Sequence, residues 1–126
     1  TSDFLKSDLY KYLNETYYNS IVNKDYIINK DYNISSYLDY NYTIISKVNA
    51  FITISSVGDY YISNKTNSYL LTNNEVNSIY SINDNSNYYL TLPSSIKKIY
   101  PVLTLDSNLK IDKGSGTYND PYILTR

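Results

Sequence analysis

The chain contains no cysteine, no histidine and no tryptophan. Without thiols there is no disulfide framework and no Cys–His nucleophile, and without imidazole there is no Ser-His-Asp triad and no histidine-ligated metal. Glycine and proline are scarce, three of each, so positions needing unusual backbone angles are few. Charge is nearly balanced, 11 Lys and Arg against 12 Asp and Glu, and Lys97-Lys98 is the only basic pair. Neither nucleic-acid phosphates nor an anionic membrane surface is offered a basic face, so no nucleic-acid partner is expected. No apolar run reaches the length of a membrane span, and no leader is evident. Membrane attachment is expected only through a segment absent from this chain.

What the chain has instead is tyrosine, 18 residues of it, set among many Asn and Ser. Codon use in an AT-rich genome is the first cause to consider, with a hydroxyl-rich contact surface second. A hydrophobic fraction of 42%, with 16% aromatic residues, argues against disorder. The length suits one domain over 1–126, able to bury roughly two-thirds of its unfolded surface without staples.

Leu5, Leu9, Leu13, Tyr17 and Ile21 recur every fourth residue, with Tyr12 beside them, while Lys6, Lys11, Asn14 and Glu15 fall largely off the stripe. This predicts an amphipathic helix over about 3–22, with Ser2 or Ser7 as N-cap and Asn23 as the stop. Residues 26–124 read as strand-rich. Tyr26-Ile27-Ile28, Ile44-Ile45, Val48 to Ser55, Tyr69 to Leu71 and Ile99 to Leu105 are strand candidates. The Asn83 to Asn87 turn joins Ile79 to Ile82 and Tyr88 to Leu92 into a hairpin. Tyr32 to Tyr42 is either strand or ordered loop. A helix followed by short strands gives an α+β fold with a mainly antiparallel sheet.

Two of the three glycines and two of the three prolines fall within the last thirty residues, which marks a strand, a tightly specified turn and a strand. Pro101 must sit at an edge, a strand start or a bulge. Gly114 and Gly116 are expected to take turn angles, with Thr117 between the strands, and Pro121 to set Tyr122 against the core. A bulky residue at 116 is expected to destabilise the fold. Gly114-Ser115-Gly116-Thr117 is not a phosphate loop, since no Lys follows and no strand-to-helix context surrounds it.

Pro101-Val102, Leu105-Asp106-Ser107-Asn108, Ile111, Gly114, Gly116-Thr117 and Asp120-Pro121-Tyr122-Ile123-Leu124 together resemble the ending of a family of bacterial surface proteins from low-GC Gram-positive and gut lineages. That ending runs Arg-Pro-Val, Leu-Lys-Ser, Ile, Gly-x-Gly-Thr and Pro-Tyr-x-Leu. Two earlier blocks are similar to the family as well: Ser7-Asp8-Leu9 with Tyr12-Leu13-Asn14 and Tyr17-Tyr18, and Ile54 to Tyr61 with its Ser-x-x-Asp-Tyr ending. The chain departs from the pattern in having Tyr100 for the Arg, in lacking the Trp and Cys of the middle, and in lacking a β-hairpin before the helix. The resemblance implies an extracellular, cell-surface domain, C-type-lectin-like or pilin-like in layout, that often follows a pilin-like hydrophobic helix.

Among candidate sites, the twelve acids lie mostly in turn contexts such as Asp25, Asp31, Asp84 and Asp120, where turn formation or solvation outweighs catalysis. No cofactor and no metal are expected. Calcium is the one ion with a candidate, the oxygen-rich Asn83 to Asn87, which lacks the Gly and bidentate Glu of an EF-hand. Tyr37, Tyr40, Tyr42, Tyr60 and Tyr61 are the candidate ligand-binding residues, because exposed Tyr beside Asn, Asp and Ser suits glycan stacking or protein contact. Core and rim filling is the competing role. The functional expectation is a non-catalytic adhesion or ligand-binding domain with a protein or glycan partner. The alternatives are a subunit that packs with its own copies into a filament and, more weakly, a glycan-active enzyme.

Overall fold

The computed structural model describes residues 4–38, 41–56, 68–74, 78–82, 88–91 and 98–126, with side-chain environments for 4–34, 43–56 and 98–126. The N-terminal segment is helical but changes pitch three times: a 3-10 turn Phe4–Lys6, an α turn Asp8–Lys11, a π turn Tyr12–Tyr17 and an α turn Tyr18–Ser20. Ser7 is the N-cap of the first α turn. Its extended backbone (φ −81°, ψ 153°) lets Oγ accept from Tyr10 N at 3.1 Å and donate to the Phe4 carbonyl at 2.6 Å. Ser2 lies outside the described residues. The helix ends where Ile21 turns extended, two residues before Asn23.

The changes of pitch redistribute the expected stripe. Leu13 is buried and Leu9, Tyr17 and Ile21 pack on the core, but Leu5 is half exposed and Phe4 is buried in its place. Residues five apart on an α-helix lie about 140° apart and do not meet. Across the π turn Tyr12 and Tyr17 do, their rings near-parallel (18°) with centroids 6.4 Å apart.

Among the described residues, nine strands form three sheets. β1 (Lys30–Leu38), β2 (Asn41–Ala50), β4 (Ser68–Asn74), β5 (Ser78–Ile82) and β6 (Tyr88–Thr91) make a five-stranded sheet in the order β2-β1-β4-β5-β6. β3 (Ile52–Ile54) pairs with β7 (Pro101–Leu103), and β8 (Lys110–Lys113) with β9 (Ile123–Thr125). All pairs are antiparallel except β1 with β4, which run parallel at Ser35–Thr72 and Ser36–Asn73. The chain is therefore α+β. The hairpin read from Ile79 to Leu92 is β5 and β6, and the Tyr32 to Tyr42 stretch is mostly strand. Pro101 opens β7, where its missing N–H costs least.

Two strand expectations are corrected. Tyr26-Ile27-Ile28 is a 3-10 turn (Lys24–Tyr26) followed by a single bridge from Ile27 to Leu105. Val48 to Ser55 is not one strand, because the chain breaks at Phe51 and passes from one sheet to another. Among the described residues no helix is long and apolar enough to cross a membrane.

The core gathers Phe4, Leu13, Ile34, Val48, Ile52 and Ile54. Full burial of a side chain such as Leu13 is worth about 2 kcal/mol. In β3 Thr53 is buried along with Ile52 and Ile54 on either side of it, so this short strand is covered on both faces.

The break at Phe51 leaves backbone groups without ladder partners, and Asn14 takes them. Its Oδ1 accepts from Phe51 N at 2.9 Å and Ile52 N at 3.0 Å, and its Nδ2 donates to the Ile52 carbonyl at 2.9 Å and the Tyr10 carbonyl at 3.2 Å. Both amide hydrogens and both carbonyl lone pairs are used. Tyr10 OH reaches the Asn49 carbonyl at 3.0 Å, and Tyr18 stacks on Phe51 at 4.1 Å. Asn14→Ala strands three backbone groups of the break, so we expect a loss of about 3 kcal/mol in denaturant unfolding. Asn14→Asp keeps the acceptors but faces two carbonyls with a carboxylate, and should fail to restore the loss. A midpoint unchanged in either variant would contradict the role given to Asn14.

Candidate binding surface

From Thr104 onward no described residue is buried. The tail is a hairpin whose turn is fixed by its own polar groups. Gly114 and Gly116 have positive φ, +101° and +79°. A Cβ on Gly116 would lie 2.5 Å from the Tyr122 ring, and one on Gly114 would overlap the Pro121 carbonyl. Asp120 closes the loop. Its carboxylate accepts from Ser115 N at 2.8 Å, its carbonyl accepts from Ser115 N and Gly116 N at 3.1 and 3.0 Å, and its own N–H donates to the Thr117 carbonyl and Oγ1 at 3.2 and 3.1 Å. The amides that a phosphate would need are thus already occupied by an acidic residue of the same loop.

Gly114, Gly116, Thr117, Pro121 and Tyr122 come together in this turn, while Pro101 lies in β7 of another sheet. Tyr122 does not pack against the core as expected. It is half exposed and lies over Gly116, because the hairpin folds back on itself instead of under the body. Ile111, Tyr118, Tyr122 and Ile123 are all exposed, Tyr118 by 99%. A smaller second apolar site is on β2. The ladder with β1 shifts between Ile34 and Ser35, leaving Ile45 without an opposite residue, and both Ile44 and Ile45 are exposed.

One corner joins the hairpin to the body. Arg126 pairs with the Asp25 carboxylate (Nη1 to Oδ2, 3.1 Å), donates to the Asp25 carbonyl at 2.9 Å, and lies 3.9 Å from the Asp106 carboxylate. Its guanidinium sits over the Tyr26 ring, 5.3 Å from the centroid. Asp106 N in turn donates to the Tyr26 carbonyl at 2.8 Å, and Asp106 Oδ1 accepts from Asn108 N at 2.9 Å. The two carboxylates therefore meet a guanidinium, and Asp106 also shapes its own turn. Of the other acids read as turn formers, Asp31 lies on β1 and accepts from Asn49 at 2.9 Å.

The backbone pairs Tyr37 of β1 with Tyr42 of β2 across the hairpin. Tyr40, Tyr60 and Tyr61, and the Asn83 to Asn87 loop with Asp84, lie outside the described residues. Among the described residues no group of three or more His, Cys, Asp or Glu is placed to share a metal ion. Sequence reasoning missed two participants. Arg126 meets its partner 101 positions away, which no local pattern records. Asn14 was legible only as a polar residue off the apolar stripe of an amphipathic helix.

No protein-family model, curated protein or solved structure matches this chain.

Gly116→Val should disrupt the turn by at least the cost of a left-handed backbone, about 1–2 kcal/mol, besides the clash with Tyr122. Because the hairpin contributes nothing to the buried core, we expect faster amide exchange at Ser115 and Gly116 with little change at Ile52 to Ile54. Loss of protection at Ile52 to Ile54 of the same size would show that the hairpin is part of the core's cooperative unit.

Proposed function

We propose that this chain is a non-catalytic contact domain of a bacterial cell-surface protein, working outside the cell in adhesion or ligand binding. Within the α+β class, a C-type-lectin-like or pilin-like layout fits a leading helix followed by short, mostly antiparallel strands. The observation that carries the reading is the hairpin. It holds Ile111, Tyr118, Tyr122 and Ile123 in solvent on a turn locked by Asp120 and two positive-φ glycines. Large amphipathic side chains held at low entropic cost suit recognition of a protein or glycan, and apolar groups kept in water by a specified turn do not serve the core.

A second reading is a subunit that packs with its own copies into a filament. It is favoured by the additional exposed pair Ile44 and Ile45 on β2, in a different sheet from the hairpin, since two distinct apolar sites on one chain permit head-to-tail contacts. The test is binding of the labelled chain to a glycan array and to immobilised matrix proteins, with sedimentation velocity alongside. We expect binding that is lost at least tenfold in Tyr118→Ala/Tyr122→Ala. Concentration-dependent assembly without ligand binding would select the filament, and neither binding nor assembly would refute both.

A further inference from the structure

Among the described residues, the hairpin formed by β8 and β9 is bonded to the rest of the molecule through one side chain. Among the described residues, the hydrogen bonds of 110–125 close within the hairpin: Ser115 and Gly116 with Asp120, Asp120 with Thr117, and β8 with β9. Those that leave it are made by Arg126, to Asp25 with Asp106 nearby. Among the described residues, none of the hairpin belongs to the core or packs against it; the last in sequence that does is Leu103. The ion pair is itself exposed, with 53% of the Arg126 side chain and 64% of that of Asp25 in solvent.

We infer that residues 110–126 form a strap that opens and closes independently of the folded body, with Arg126 as its salt-sensitive latch. Three physical considerations lead there. Exposed ion pairs are weak and screened by salt, and the neighbouring cation–π contact at Tyr26 adds only a similar amount. A two-stranded hairpin is marginal alone, so release from the body lets it melt. Local openings of this kind lie well below the cost of global unfolding wherever few buried contacts resist them. The latch also has two acceptors on different segments, the 3-10 turn at Asp25 and the turn at Asp106. One guanidinium therefore aligns both segments with β9, and Lys at this position cannot, because it lacks the planar fork.

How the tail is held is independent of what it contacts. Its test is hydrogen exchange on the full chain, followed by mass spectrometry, in 20 mM and 500 mM sodium chloride (both about the ends of the useful screening range). Peptides covering 110–125 should exchange faster than those covering 48–54 in the unmodified chain. Arg126→Ala should accelerate exchange at 110–125 about three- to tenfold at low salt, leaving 48–54 unchanged, and should remove most of the salt dependence. Arg126→Lys should fall between. Equal protection of the two regions, an Arg126→Ala effect of the same size in both, or a salt response unchanged by the substitution would each overturn the inference.

Discussion

The carboxamide of Asn14 is the contact on which the architecture turns. Where the chain leaves β2 and enters β3, the five-stranded sheet gives way to the β3–β7 pair, and Phe51 belongs to neither ladder. Such a corner is costly unless its donors and acceptors are met, since buried backbone groups are almost always paired. One side chain, delivered from the helix, meets both N–H groups and a carbonyl. The same contact fixes the height of the helix over the sheets, so Leu13 beside it enters the core and Tyr18 stacks on Phe51.

This explains where the sequence was readable and where it was not. The helix, the β5–β6 hairpin and the placement of Pro101 rest on local chemistry: apolar spacing, turn residues and a missing N–H. The π turn does not, since the spacing of Tyr12 to Tyr17 is the one that an α turn would also show. Val48 to Ser55 reads as one strand because Ala50, Ile52 and Ile54 alternate with Phe51, Thr53 and Ser55; what breaks it is the availability of a partner at Phe51. Likewise Tyr26 to Ile28 has β-like residues but only one bridge to accept them. The parallel register of β1 with β4 has no local signature, as it is set by which edges remain open.

For the candidate surface, the glycines were legible because positive φ is a local property, and their spacing with Asp120 and Pro121 described a turn. The destination of Tyr122 was not. An aromatic after a proline near the end of a chain reads as core, yet the ring is needed to cover Gly116, whose missing side chain leaves room for it. The absence of a side chain at one position and the presence of a large one six residues later are a single device. Arg126 was invisible for a different reason, since an ion pair spanning 101 residues has no sequence period at all.

The division of labour between the two ends of the chain follows from these contacts. Among the described residues, the buried side chains of the body all precede Ser56, and the body receives β7 from the later part. The tail has no buried side chain among its described residues and is organised by polar groups: Asp120 on the amides of its turn, Asp106 at its entry, Arg126 at its end. Hydrophobic burial is non-directional and cooperative, whereas hydrogen bonds and exposed ion pairs specify geometry at little net stability. A tail built the second way has a defined shape without being committed to the core, so its isoleucines and tyrosines stay available to another molecule.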